Sequence, residues 1–204
     1  VTKLVREIQH TWLVNPGILI PPETSAIHQI CDEDVANSEK FEVLEPYLQL
    51  WVDDRICVAH NAQFERSFLD SHLSVDQEWI CTWKCALVLW PDAPSHSNEA
   101  LRYWLALGND RGRKATQMAH SAGHDVKVTS LLLERILDLM TIETALHVSA
   151  HLAQLPTCPI GKHKGEKWDV VPLDYLKWLA FKAQDMRPDV VQLAKNEIDR
   201  RLMK

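Results

Sequence analysis

The sequence has no paired-cysteine motif. Its five cysteines are scattered and odd in number, and none stands in a Cys-x-x-Cys arrangement. A small secreted scaffold held by disulfides would need an even set at regular spacings, so this pattern argues against one. We therefore expect a protein of the reducing cytoplasm.

Long apolar segments are also missing. No run approaches the roughly eighteen apolar residues that a membrane-spanning helix needs, and no stretch has the pattern of a signal peptide. We expect no membrane association. The chain opens at Val1 rather than Met, inside a segment with the alternation of a strand, and we therefore expect an N-terminally truncated sequence.

An overall positive charge is absent, since 28 Asp and Glu outnumber 22 Lys and Arg and the formal net charge is −6. This excludes a polycation that coats nucleic acid. The charge is uneven, however, because residues 150–204 carry ten Lys and Arg against seven Asp and Glu. Such a segment is suited to contact phosphate while the acidic remainder holds cations, although a solvated basic face explains the same imbalance.

Hydrophobic residues make up 46% of the chain, enough for a substantial core, and their spacing alternates between strand and helix periods. Strands alternating with helices are typical of an α/β layer fold. Pro156 and Pro159 mark a boundary before a separately patterned tail. The pattern predicts strands at 3–14, 56–59 and 79–81, and helices at 42–51, 63–72, 84–90, 97–107, 125–140, 142–155, 173–183 and 189–202.

Two carboxylates stand at element ends where metal-dependent hydrolysis is chemically feasible. Asn61 and Glu65 follow the short apolar run at 56–59 at positions i and i+4, which places them on one face of the helix expected there. Asp125 begins a later helix, and His120 precedes it in a loop. Phosphodiester hydrolysis is helped by two divalent ions held by carboxylates, and a histidine suits the general base.

Each piece alone has a plainer explanation. A Glu after a strand is most often a surface acid, and a His before a helix is most often a loop residue. The order and spacing of the two segments together favour the functional interpretation. HNAQFE at 60–65 and HSAGHD at 120–125 resemble the middle and last motifs of the DEDDh 3′–5′ exonucleases, which belong to the RNase-H-like superfamily.

Other segments extend this resemblance over nearly the whole chain. VNPGILIPPETSAIHQI at 14–30 is similar to the loop by which the family approaches the terminal nucleotide. WICTWKCALVLWP at 79–91 and the tail segments PIGKHKG at 159–165 and VPLDYLKWL at 171–179 resemble the exonuclease-X-like subgroup with its small C-terminal domain.

The resemblance implies an α/β, RNase-H-like mixed sheet flanked by helices in residues 1–155, and a small, mainly helical domain in 156–204. It implies a 3′–5′ exonuclease that acts on DNA with two Mg²⁺ or Mn²⁺ ions. The implied catalytic residues are His120, Glu65 and Asp125, of which Glu65 and Asp125 are the metal ligands. The implied nucleic-acid-binding residues are Asn61, Phe64, His28, Lys162 and Lys164.

Residues in the tail have their own alternatives. The glycines of GKHKG at 161–165 would let backbone amides, Lys162 and Lys164 approach phosphate, but a plain β-turn has the same sequence pattern. Trp168 and Trp178 are candidates for stacking on a base, although a small domain also needs aromatic core.

The sequence departs from the family pattern twice. No Asp-x-Glu stands upstream of residue 14, where the family has one on its first strand, and the middle Asp is Glu65 here. Mg²⁺ tolerates geometric error poorly, so we expect weak activity, or a shift toward Mn²⁺. Two alternatives stay open: a degenerate exonuclease fold that binds nucleic acid or protein without cutting, and a structural adaptor acting through the C-terminal segment.

Overall fold

The computed structural model describes residues 10–73, 77–108 and 122–203. Within them the chain is mainly helical, with a small sheet near its middle. In chain order the elements are α1 (Pro22–His28), α2 (Asp32–Val35), α3 (Phe41–Val52), β1 (Cys57–Ala59), α4 (Gln63–Leu69), β2 (Trp79–Cys81), α5 (Thr82–Leu89), α6 (Asn98–Trp104), α7 (Ala122–Leu137), α8 (Ile142–Ala150), a 3-10 helix (Gly161–His163), α9 (Leu173–Phe181) and α10 (Pro188–Leu202).

The sheet pairs β1 with β2 in parallel. Cys57 lies opposite Trp79 and Ala59 opposite Cys81, so both strands end at the same edge. The apolar run at 56–59 predicts a buried parallel strand, and in β1 Ala59 is buried while Cys57 and Val58 are half-buried. In β2 Ile80 is 3% exposed. Because β2 runs directly into α5 and β1 leads into α4 through the three-residue turn at 60–62, the beginnings of α4 and α5 are brought side by side.

Helix α7 covers this sheet. The sequence predicts an apolar stripe at Val128, Leu131, Leu132 and Leu139, of which Val128 and Leu132 are buried and Leu131 is half-buried. Val128, Leu132 and Ile136 recur four residues apart and are at most 1% exposed. They divide between two core clusters, one shared with Ile80 of β2 and one shared with Leu101 of α6. The stripe thus holds α7 against the strands on one side and against α6 on the other.

The tail forms a helical hairpin of α9 and α10. Its core contains Leu176, Leu179 and Val190, and it continues into Leu87 of α5. The Arg187 guanidinium also lies 5.5 Å from the centre of the Trp83 ring of α5. The predicted helices at 173–183 and 189–202 are confirmed within two residues, while the division of the chain after residue 155 stays a prediction.

Several sequence-based expectations differ from the structure. Of the strand predicted at 3–14, residues 3–9 lie outside the described ranges and residues 10–14 form no strand. Asn15, just after it, makes an isolated bridge to Lys40. Leu139 belongs to the predicted apolar stripe of the helix at 125–140, but α7 ends at Leu137 and Leu139 is 50% exposed. The helix predicted at 142–155 stops at Ala150.

The apolar spacing in the helix predicted at 63–72 indicates that Phe64 and Phe68 pack inward, and this prediction is wrong. Both side chains are 61% exposed, and α4 has no buried residue. Their rings contact each other instead, with centroids 5.1 Å apart. The helical spacing was sufficient to place them on one side of α4, but that side faces solvent. In the described residues no helix is long and apolar enough to cross a membrane.

A network around Glu197 of α10 fastens the tail. The Glu197 carboxylate accepts hydrogen bonds at 2.7 Å from both Arg200 and Arg201, although it is only 7% exposed. Arg201 donates in turn to the backbone carbonyls of Trp168, Asp169 and Val171. The hydrogen bonds from Arg200, then those from Arg201, lower the pKa of Glu197 to about 2.

This network predicts how the stability of the chain depends on pH. The pKa of Glu197 in the folded chain lies below its ordinary value of 4.5, so its stabilising contribution is complete above about pH 4.5 and is lost as the pH falls toward 2. Glu197→Gln should lower the free energy of unfolding at pH 7 by about 1–3 kcal/mol. Denaturant unfolding at several pH values measures both effects.

The matched control is Asp199→Asn, which removes an exposed carboxylate from the same helix. It should leave the unfolding curve nearly unchanged. Between pH 5 and pH 3 the free energy of unfolding should fall less in Glu197→Gln than in the wild type. An equal fall in both proteins would show that Glu197 is not the titrating group.

Candidate active site

The carboxyl end of β1 leads into a tight turn that places Glu65. Asn61 has a φ of 70°, a left-handed conformation that Asn tolerates better than most residues, and its carbonyl accepts from the Phe64 backbone N–H at 2.9 Å. Helix α4 begins at Gln63, so Glu65 lies in its first turn. The expectation that Asn61 and Glu65 share a helical face is therefore wrong, because Asn61 precedes the helix.

Glu65 and Asp125 line the same cleft. Its volume is about 730 Å³, and it lies between the end of β1, the first turn of α4, the start of α6 and the first three turns of α7. Asp125 belongs to the first turn of α7, as the sequence predicted. The fold thus brings together two carboxylates that are sixty residues apart in the chain.

The Glu65 carboxyl is poorly stabilised by the protein around it. Its Oε2 atom is buried and has no hydrogen-bond partner among the described residues. Burial raises the pKa of this carboxyl above its usual value, against a smaller lowering by a hydrogen bond to a backbone N–H. A buried charged oxygen without a partner is costly, and a bound cation would supply the missing interaction.

A group of polar side chains holds α6 against α7. Asn98 donates through Nδ2 to the Asp125 carbonyl at 3.1 Å and to the Thr129 hydroxyl at 3.3 Å. Glu99 contacts His124 Nε2 at 2.7 Å through one oxygen and accepts from Arg102 Nε at 3.2 Å through the other. These contacts orient the first turn of α7, and therefore the Asp125 backbone, relative to the cleft.

His60 connects the end of β1 to the segment before α6. Its Nε2 donates to the His96 carbonyl at 2.9 Å, and its Nδ1 lies 3.0 Å from the Thr82 hydroxyl. Burial lowers the pKa of His60, and the hydrogen bond to the His96 backbone only partly opposes this. A neutral imidazole in this position acts as a link between backbone segments.

Comparison with known proteins agrees with this geometry. The sequence profile of the RNase T family, described as "Exonuclease", matches residues 2–133. The chain belongs to this exonuclease family. Exodeoxyribonuclease 10 of Escherichia coli strain K12 is 32% identical over 193 residues, which cover 92% of this chain and 83% of that protein. The family and this relative make the chain a 3′–5′ exonuclease by descent, with an RNase-H-like fold.

Two further relatives agree. The DNA polymerase III subunit epsilon of Treponema pallidum is 27% identical over 126 residues, which cover 57% of this chain and 54% of that one. The solved structure of "Exonuclease X in complex with 5′ overhanging duplex DNA" is 32% identical and superposes with a TM-score of 0.55. That superposition covers 67% of this chain and 78% of the other.

The other predicted site residues lie at different distances along the fold from the cleft, and not all of them are among the described residues. Phe64 is exposed beside Glu65, and Asn61 is exposed in the preceding turn. His28 ends α1, and its Nδ1 accepts from the Ile30 backbone N–H at 3.1 Å; it does not line the cleft of Glu65 and Asp125. His120 lies outside the described residues.

The two lysines assigned to nucleic acid, Lys162 and Lys164, are exposed in the tail, and neither lines that cleft. Among the described residues no group of three or more His, Cys, Asp or Glu side chains is placed to hold a metal ion. Glu65 and Asp125 at the cleft fit part of a ligand set for a hard divalent cation.

Sequence reasoning missed the residues that orient the cleft. The sequence pattern singles out none of Asn98, Glu99 and His124 as functional. Their partners lie 25 to 31 positions away in the chain. No local spacing signals such contacts, since they arise only when α6 packs on α7.

The unpartnered Glu65 oxygen predicts that this site lowers stability without a cation. In EDTA at pH 7.5, Glu65→Gln should raise the melting temperature by about 2–4 °C, equivalent to about 1 kcal/mol. Since the pKa of Glu65 is raised in the folded chain, the penalty is complete above that pKa. The difference between wild type and variant should shrink as the pH falls through it.

Asp70→Asn is the control, because it removes a carboxylate at the end of the same helix that is more than half exposed. It should give no gain in melting temperature. A melting temperature of Glu65→Gln equal to or below that of the wild type in EDTA would show that the Glu65 carboxyl is satisfied in the metal-free protein.

Proposed function

We propose that the chain hydrolyses phosphodiester bonds from the 3′ ends of DNA at the cleft shared by Glu65 and Asp125. One observation carries the proposal: two carboxylates from separate elements line one cleft, and one of them has a buried oxygen with no partner in the described residues. Enzymes commonly keep such poorly satisfied groups where a ligand completes them.

The proposed cofactors are two divalent ions, Mg²⁺ or Mn²⁺, with Glu65 and Asp125 among their ligands. Such ions supply an activated water and stabilise the charge on the leaving oxygen. The carboxylates of this chain match the hard-oxygen preference of both ions. The longer Glu65 arm, where the family has Asp, favours Mn²⁺, whose coordination is more forgiving.

His120 is the proposed general base. It would accept the proton of the attacking water, because an imidazole titrates near working pH and is neutral there often enough to act. Asp125, held by the contacts of α6, would be fixed in the same first turn of α7 that follows the His120 segment. The support for His120 is its motif position, since the residue lies outside the described ranges.

Exposed residues around the cleft would contact the nucleic acid. Phe64 presents an aromatic face next to Glu65, which suits stacking on a terminal base, and Asn61 adds a polar side chain in the preceding turn. His28, Lys162 and Lys164 are proposed contacts further along the strand. DNA as substrate is supported by the E. coli relative, named an exodeoxyribonuclease, and by the neighbour solved with duplex DNA.

The second candidate function is a binding module that holds nucleic acid without cutting it. The observation in its favour is that, of the three carboxylates among the described residues lining the cleft, Glu99 is engaged by His124 and Arg102. The other two are Asp125 and Glu65, and Glu65 stands where the family pattern has Asp. Cleavage assays separate this candidate from the first.

Asp125→Asn tests the proposed function directly. It keeps the shape of the side chain and removes its charge, so Mn²⁺ affinity measured by calorimetry should fall by at least about 10- to 100-fold. Trimming of a 3′-labelled oligonucleotide by the purified chain should be lost. Glu65→Gln should behave in the same way, because it alters the other carboxylate of the cleft.

Asp70→Asn is again the control and should keep wild-type metal binding and trimming. Trimming that survived both Glu65→Gln and Asp125→Asn would place the chemistry elsewhere. Wild-type protein that bound DNA and Mn²⁺ but released no nucleotide would favour the binding module.

The proposed base predicts a separate kinetic signature. His120→Ala should reduce the trimming rate by about 10²–10⁴ and remove its dependence on pH near neutrality, because no group would then titrate in the proton-transfer step. Metal affinity should change little. A wild-type rate of His120→Ala throughout pH 6–9 would contradict the role of this residue.

A further inference from the structure

The tail helix α9 exposes two large aromatic side chains, Trp178 and Phe181, outside the tail core, while Tyr175 beside them packs partly against that core. Leu176 and Leu179 point into the core and are at most 1% exposed. On the other side Trp178 is 42% exposed and Phe181 is 68% exposed. Tyr175 lies one turn before Trp178, and their ring centres are 5.4 Å apart. We call Tyr175, Trp178 and Phe181 the aromatic stripe.

A loop fixes a lysine at one end of this stripe. The Lys162 ammonium lies 5.6 Å from the centre of the Tyr175 ring, and the His163 ring contacts the same ring at 4.7 Å. Gly161 makes this approach possible: it has a φ of 64°, and a Cβ there would stand 2.2 Å from the Tyr175 hydroxyl. The loop therefore depends on glycine to hold Lys162 over the stripe.

A second lysine stands at the other end. The Lys195 ammonium of α10 lies 5.8 Å from the centre of the Phe181 ring. Cations and aromatic faces thus follow one another along the surface, from Lys162 over Tyr175 and Trp178 to Phe181 and Lys195. This alternation is the chemistry that single-stranded nucleic acids recognise, since bases stack on aromatic rings and phosphates pair with cations.

The charge of the tail is available to an anionic ligand. Its arginines are used internally, since Arg187 pairs with Asp189 and both Arg200 and Arg201 pair with Glu197. The lysines of the tail are not used in this way, because none of them makes an ion pair within the described residues. Asp174 is the one acid in α9 and stands at its start. The lysines concerned are Lys162, Lys164, Lys167, Lys177, Lys182 and Lys195.

We propose that the aromatic stripe, with Lys162 and Lys195, is a binding surface for single-stranded nucleic acid separate from the cleft of Glu65 and Asp125. Bases stack on Trp178 and Phe181, and the phosphates lie near the two lysines. None of the stripe residues lines that cleft. The role of this surface rests on the proposed function. By holding the strand that the cleft shortens, the surface would raise the local concentration of that strand at the cleft.

Binding without divalent metal tests the surface independently of cleavage. The full chain is titrated in EDTA against a fluorescein-labelled dT oligonucleotide, and anisotropy reports the dissociation constant. Trp178→Ala and Phe181→Ala should each weaken binding about 5- to 100-fold, the range for loss of one stacked base. Trp178→Phe should retain most of the affinity. Lys162→Ala should reduce the slope of log affinity against log salt by about one.

Two controls match these changes. Tyr47→Ala removes an aromatic side chain that is 59% exposed on α3, and Lys167→Ala removes an exposed lysine from the same tail. Tyr47→Ala should leave affinity unchanged, and Lys167→Ala should weaken binding less than Lys162→Ala does. Hydrolysis of the p-nitrophenyl ester of thymidine monophosphate, a substrate without a second nucleotide, should be the same in the wild type and Trp178→Ala.

The results separate the two proposals. The proposed binding surface would be contradicted if the stripe variants bound the oligonucleotide as tightly as the wild type. It would also be contradicted if Lys167→Ala weakened binding as much as Lys162→Ala, whether or not the cleft cleaves DNA. Loss of binding in the stripe variants supports it even if no hydrolysis is found, in which case only the proposed function fails. Unchanged melting temperatures of the variants show that lost affinity is not lost folding.

Discussion

The parallel pairing of β1 and β2 is the constraint on which the cleft depends. Three residues in each strand bring the beginnings of α4 and α5 together, and the Thr82 hydroxyl donates to the Ala59 carbonyl at 3.3 Å across that edge. His60 adds the link to His96 just before α6. Helix α7 then packs on both β1 and α6, which brings Asp125 to the cleft that Glu65 lines.

The same arrangement explains why the cleft suits a cation. Packing is good at the apolar residues behind it, where Leu132, Ile136 and Leu101 have no exposed surface. The polar groups of the cleft itself are less well paired. Burial raises the pKa of Glu65, and one oxygen of its carboxyl has no hydrogen-bond partner in the described residues. A well-packed frame around an unsatisfied acid is the arrangement expected when binding, rather than folding, has shaped the site.

Much of the fold followed from local patterns. The sequence predicts the strand at Trp79–Cys81 and the two tail helices from local apolar spacing, and the structure confirms all three. The exposure of Phe64 and Phe68 was not predicted, since spacing says which residues share a side of a helix but not whether that side is covered. Asn98, Glu99 and His124 were missed because their partners come from another helix.

The candidate site was predicted in part for a similar reason. Motif order pointed to Glu65 and Asp125, and the fold places both at one cleft. The polar contacts that fix the backbone of Asp125 are set by the packing of α6 on α7, which depends on distant apolar residues such as Leu101 and Val128. The surface of α9 was visible in sequence only as isolated lysines and a tryptophan, because the loop that carries Lys162 is brought to Tyr175 by the fold.

The claim that Glu65 and Asp125 together bind a divalent cation in the cleft is tested most directly by crystals of the chain grown or soaked with Mn²⁺. Diffraction data collected at the manganese absorption edge locate the ion from its anomalous signal. The account predicts a peak in the cleft within coordination range of both carboxylates, absent from crystals of Asp125→Asn treated in the same way. Bound manganese elsewhere, with none in this cleft at saturating concentration, would contradict it.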